Sequence, residues 1–168
     1  MAFAPDALAP LGGYPGDEDA ARALFAKLDQ DKTREDFVAA VAFLHKRRGA
    51  TGSVGVIGFC FGDGIVNMLA TRLPDLAAGV PFYGNQPSAE DAAKIKAPLL
   101  LHYAENDERI NAGMAAYEEA LKANKVEYQQ FVYPGTQHGF NNDTTPRYDK
   151  ASATLAWQRT VEFFKRHL

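Results

Sequence analysis

Apolar positions along the chain switch repeatedly between short continuous runs and helical stripes. Ala21, Leu24, Phe25 and Leu28 fall at the i, i+3, i+4, i+7 spacing of one helix face, with Asp17 placed to cap it. Thr33 with Asp36 three positions later predicts a second helix start in the manner of a capping box. The stripe Phe37, Val41, Leu44 then ends at Arg47-Arg48-Gly49, cations and a Gly where the dipole and the C-cap favour them. Ser53-Val54-Gly55-Val56-Ile57-Gly58-Phe59 is short, β-branched and uncharged, which predicts a strand covered on both faces. Residues 65–72 read as helix, 79–83 as strand, 89–95 as helix and 98–103 as a second buried strand. Met114, Tyr117 and Leu121 mark another helix, 126–133 another strand, and Ala153, Trp157, Val161, Phe164 and Leu168 a last helix. Strands alternating with helices predict an α/β domain, a mainly parallel sheet with helices on both faces. Ligands in such sheets bind beyond the carboxyl ends of the strands, which directs attention to Cys60, Tyr83, Asp107 and His138.

Composition narrows the function without changing the fold. The 168 residues suit one domain with a proper core, and 46% hydrophobic with 23% charged residues excludes disorder and low complexity. A net charge of -3 argues against nucleic acid or an anionic membrane as partner. A single Cys excludes an internal disulfide and a Cys-based zinc site, so thiol chemistry rests on Cys60. No apolar run is long enough to span a membrane, and Met1-Ala2-Phe3-Ala4-Pro5 has no signal-peptide character, which predicts a cytoplasmic protein.

Three loops carry the candidate chemistry. The strand 53–59 runs into Gly58-Phe59-Cys60-Phe61-Gly62 and then a helix, the nucleophile-elbow pattern with Cys where Ser is commoner. Its sharp turn lifts the side chain clear of the sheet at a helix N-terminus, where the macrodipole favours a thiolate. The backbone N–H of Phe61 is then placed for a developing oxyanion. After the strand 98–103 come Glu105, Asp107 and Glu108, any of which could orient an imidazole. After the strand 126–133 comes His138, flanked by Gly139 on a loop where a general base can reach a cleft. His45 and His167 sit in polar helix ends, and His102 reads as a hydrogen-bonded core residue. His102 and Glu105 make a poor metal pair, because their spacing suits a helix better than a strand end and no third ligand is evident. The reading requires neither metal nor cofactor.

Nucleophile, acid and base in the order 60, 107, 138, each after a successive strand, is the chain order of α/β hydrolases. The sequence resembles the dienelactone hydrolase family of that superfamily. The likeness rests on Gly58-Phe59-Cys60-Phe61-Gly62, on Asn106-Asp107-Glu108-Arg109, and on Tyr133-Pro134-Gly135 running into His138-Gly139-Phe140. Ala4-Pro5-Asp6 and Gly12-Gly13-Tyr14-Pro15-Gly16 add to it. The resemblance implies a Cys60–His138–Asp107 triad that opens lactones or cleaves small esters through an acyl-thioester, with Tyr83 lining the pocket.

The chain also departs from the family pattern. The family's domain begins with further strands and a helix, so the resemblance implies an N-terminally truncated domain over 1–168, with a homo-oligomer covering the missing strands. The competing expectation is a catalytically impaired remnant that persists as an oligomeric or binding module. Asp63 stands where the family has Gly. It is expected either to face solvent in the first helical turn or to oppose thiolate formation at Cys60. Asn141-Asn142 and Pro10 occupy places where carboxylate-binding arginines are expected, leaving Arg147 as the substrate-binding candidate.

Overall fold

In the computed structural model, which describes all 168 residues, the chain divides into two units, Met1–Gly52 and Ser53–Leu168. The first holds a short 3-10 turn at Ala9–Leu11 and helices α1 (Glu18–Phe25) and α2 (Gln30–His45). Asp17 caps α1 by accepting from the Ala20 N–H. The start of α2 differs from the capping box predicted at Thr33. Asp29 accepts from the N–H groups of Asp31 and Lys32 and opens the helix four residues earlier. Thr33 lies inside the helix, buried, with its hydroxyl donating to the Asp29 carbonyl, and Asp36 pairs instead with Lys32. An Asp two residues ahead of two free N–H groups is the stronger cap, so it wins over a Thr one turn later.

The second unit is a four-stranded parallel sheet in the order β1-β2-β3-β4, with β1 (Gly55–Phe59), β2 (Ala78–Phe82), β3 (Leu99–Asn106) and β4 (Tyr128–Gln137). Helices α3 (Phe61–Arg72), α4 (Ala89–Ala92), α5 (Glu108–Asn111), α6 (Met114–Ala123) and α7 (Lys150–His167) fill the connections and the C-terminus. Strand parity places α3 and α7 on opposite faces. A Cβ at Gly55 would meet the ring of Phe164 in α7, whereas one at Gly58 would overlap the carbonyl of Gly62 in α3.

Every residue of β2 is buried, and the core gathers Val80, Phe82, Leu100, Tyr133, Phe140 and Phe163. The strand β1 differs from the doubly covered one that its composition predicts. It pairs with β2 alone, and Ile57 and Phe59 are exposed. Burial on both faces needs cover on both, and β-branched composition cannot supply it. His102 in β3 is fully buried, its Nδ1 2.8 Å from the Tyr133 hydroxyl and its Nε2 3.2 Å from that of Thr160. Burial pushes its pKa down to about 3, so it stays neutral as a core residue.

Candidate active site

The elbow is built by glycines and one strained residue. β1 ends at Phe59, α3 begins at Phe61, and Cys60 between them has φ 52° and ψ -110°, a positive φ rare outside Gly. The turn closes because Gly58 has no side chain to strike the Gly62 carbonyl. The Cys60 N–H donates to the Phe82 carbonyl and the Asp63 N–H to the Cys60 carbonyl, which fixes the turn at both ends. The thiol is left exposed at the carboxyl end of the sheet, at the N-terminus of α3.

The sheet register supplies the partners. Phe59 pairs with Phe82, so Cys60 and Tyr83 leave the sheet side by side. Asn106 pairs with Gln137 beyond a bulge in the β3–β4 ladder, so Asp107 and His138 emerge as neighbours. Asp107 Oδ2 lies 2.6 Å from His138 Nδ1, and His138 Nε2 lies 3.1 Å from Cys60 Sγ. Asp107 is buried and its other oxygen takes the Ile110 N–H, capping α5. The three carboxylates that the loop sequence by itself left open are thereby separated. Glu105 accepts from the Gly135 N–H and holds the turn before His138, Glu108 is exposed, and Asp107 alone meets the imidazole.

Competing charges set the electrostatics of the thiol. Partial burial pushes the Cys60 pKa up, Arg147 draws it down, Asp63 and Asp107 raise it, and Arg109 lowers it. Arg147 lies against the loop at Gly139, where its guanidinium would be 3.7 Å from a Cβ on that glycine. Arg109, which sequence reasoning passed over, donates to Asn85 Oδ1 across the same end of the sheet. Its signal was available, two residues beyond the candidate acid.

Tyr83, expected to line the pocket, is instead only 1% exposed. With φ 41°, its ring is turned edge-on to His138 and Phe140, both at 5.3 Å between centroids, and its phenol oxygen takes a backbone hydrogen bond from Asn141. It touches the imidazole of His138. Asp63 is not the solvent-facing helix residue that its first-turn position suggests. It is buried, with the Gly84 N–H donating to Oδ2 and the Asn67 amide to Oδ1. Elsewhere, no three His, Cys, Asp or Glu side chains are arranged to hold a metal ion.

The model of the "Dienelactone hydrolase family" matches residues 1–168. "Protein usf" of Aquifex pyrophilus is 37% identical over 176 residues, covering 100% of this chain and 75% of that protein. A "Putative carboxymethylenebutenolidase" of Saccharolobus solfataricus is 34% identical over 142 residues, 83% of this chain, and the chain spans 55% of its length. Among solved structures, a "Putative Dienelactone Hydrolase" from Klebsiella pneumoniae superposes with a TM-score of 0.76 at 26% identity, over 86% of this chain and 66% of that one.

Proposed function

The chain belongs to the dienelactone hydrolase family, and from that premise we propose that it hydrolyses small carboxylic esters or lactones through an acyl-thioester on Cys60. The observation that supports this reading is the continuous contact from Asp107 through His138 to the Cys60 sulfur. Nε2 of His138 takes the thiol proton, and the thiolate attacks the ester carbonyl carbon. The negative charge that develops on the carbonyl oxygen is met by the Phe61 N–H at the start of α3, where the helix dipole adds to the donor.

Collapse of the tetrahedral species breaks the C–O bond, and the leaving alkoxide takes the proton back from the imidazolium. His138 then deprotonates a water that attacks the thioester, releasing the acid and restoring the thiol. Asp107 holds the Nδ1 proton throughout, which fixes the tautomer and stabilises the imidazolium. Tyr83 packs against the imidazole and limits its rotation, while Arg147 stands beside the thiol as the group that receives polar or anionic parts of the substrate.

Hydrolysis of a short aryl acetate by the purified chain and its Cys60→Ala variant tests the reading. Loss of turnover on the order of 10³-fold or more in a variant that remains folded is expected. Equal turnover by both proteins would refute it.

A further inference from the structure

A buried carboxyl beside the elbow serves none of the three steps above. Asp63 is 2% exposed, one turn into α3 from Cys60. Its Oδ2 takes the Gly84 N–H at 2.9 Å, and its Oδ1 takes the Asn67 amide at 2.8 Å. Asn67 in turn donates to the Asn85 carbonyl and accepts from the Tyr117 hydroxyl of α6. The fit with the turn after β2 is close enough that a Cβ at Gly84 would overlap both the Asp63 Cβ and the Cys60 carbonyl. Gly84 follows Tyr83, the residue whose ring meets His138 and whose hydroxyl is tied to the backbone of Asn141.

We propose that Asp63 is a positioning residue, a buried strut that ties the first turn of the nucleophile helix to the turn at Tyr83–Gly84 and so sets the seat of His138 opposite Cys60. The role rests on the reading of Cys60 and His138 as the reacting pair. The path is continuous: Asp63 holds the Gly84 N–H, Gly84 fixes the positive-φ backbone of Tyr83, and the Tyr83 ring and hydroxyl hold the loop from His138 to Asn141. The 3.1 Å from His138 Nε2 to Cys60 Sγ is therefore set from both sides, by the elbow and by this strut.

The charge state is part of the device. Asp63 faces Cys60 from the elbow, Tyr83 from the end of β2, Tyr103 from β3 and Tyr117 from α6, with no cation among these groups. Burial, against the Gly84 and Asn67 hydrogen bonds, pushes its pKa up to about 8. Below that pH the strut is neutral and leaves the thiolate undisturbed. Above it, a carboxylate appears beside the sulfur, which Arg147 and Arg109 oppose and Asp107 reinforces.

The test uses the full chain and two variants, Asp63→Asn and Asp63→Ala, with two readouts: aryl acetate turnover and the pH profile of Cys60 alkylation by iodoacetamide. Asp63→Asn keeps the shape and the acceptor for the Gly84 N–H but loses the Asn67 bond, since Asn67 is held by the Asn85 carbonyl and the Tyr117 hydroxyl, so its kcat near pH 7 falls less than that of Asp63→Ala. Asp63→Ala leaves the Gly84 N–H without its acceptor and lets the seat of His138 drift. Its kcat falls on the order of 10-fold or more, with KM within about twofold. In alkylation, Asp63→Asn and the natural chain agree at low pH and part above pH 8. There the Asn variant reacts about threefold faster or more, the effect of a half-unit change in thiol pKa.

Full kcat in Asp63→Ala would overturn the strut, and superimposable alkylation profiles would overturn the titration of Asp63 beside the thiol. Should Asp63→Ala fail to fold, Asp63→Ser, too short to reach the Gly84 N–H, takes its place with the same expected fall in kcat. Alkylation needs no ester turnover, so a natural chain that alkylates but hydrolyses nothing refutes the hydrolase reading while the profiles still judge Asp63.

Discussion

Two buried carboxylates of the second unit have different partners, and each makes a distinct prediction. Asp107 is aimed at the His138 Nδ1 proton, so Asp107→Asn, which offers the imidazole an amide instead of a carboxylate, is expected to lower kcat on the order of 10³-fold while leaving the thermal midpoint nearly unchanged. Steady-state kinetics beside a melting curve checks this. Burial of the Asp63 carboxyl gives folding a definite pH signature. Its folded pKa of about 8 lies above its ordinary value of 3.8, so the folded state holds a proton that the unfolded state has lost between those limits. Stability from this group is complete below pH 3.8 and is lost as pH rises toward 8. Asp63→Asn has no such loss, and its melting temperature relative to the natural chain should climb across that window and level off above it. A constant offset from pH 4 to 9 would contradict the assignment. At this scale, the sequence was most informative about Cys60 and His138, because each stands beside glycine just past a buried strand, where a side chain can rise clear of the sheet. For Asp63 it left two fates open, because a first-turn Asp looks the same whether water or Gly84 receives it; the structure buries it and has it raise the Cys60 pKa. Local reasoning could not divide the labour among Glu105, Asp107 and Glu108, which a bulge in the β3–β4 ladder sets; the chain order and the family resemblance pointed to Asp107.

At the scale of elements, the elbow is a packing problem solved by glycine. A Cβ on Gly58 would strike the Gly62 backbone, which cannot move without dragging the start of α3. Gly58→Ala is therefore expected to destabilise the second unit by about 1–3 kcal/mol and to misplace Cys60 even where the fold survives, as a urea melt and an alkylation rate would show. Gly62 meets nothing within reach of a Cβ, so Gly62→Ala should be much milder. Most elements were legible because the buried strands are short continuous apolar runs and the helices carry stripes spaced three and four apart. The differences have identifiable physical causes. The α2 start moved because Asp29 is the better cap, and α3 began four residues before the predicted 65 because the helix grows directly from the elbow. The pair Ile57 and Phe59 looked like core and is surface, since what covers a strand is decided by elements distant in sequence.

Across the whole molecule, the fold is of the α/β-hydrolase type, a parallel sheet with helices. Its chain order turns a sequence of strand ends into a site, because parallel strands deliver their carboxyl ends to one edge. Cys60, Asp107 and His138 lie up to 78 positions apart in sequence and meet because β1, β3 and β4 all end there. An apolar groove of about 340 Å³ runs along α7 beside Trp157, Val161 and Phe164, lined by the C-terminal segment alone and separate from this edge. The candidate chemistry therefore sits at the strand ends and not in that groove. The most direct test is the intact mass of the protein quenched during reaction with an aryl acetate. The account predicts a single acetyl group on the natural chain, mapped by peptide mass to Cys60, discharged on standing and lost in Cys60→Ala. Turnover without any acetyl on Cys60, or an adduct mapped to another residue, would contradict it.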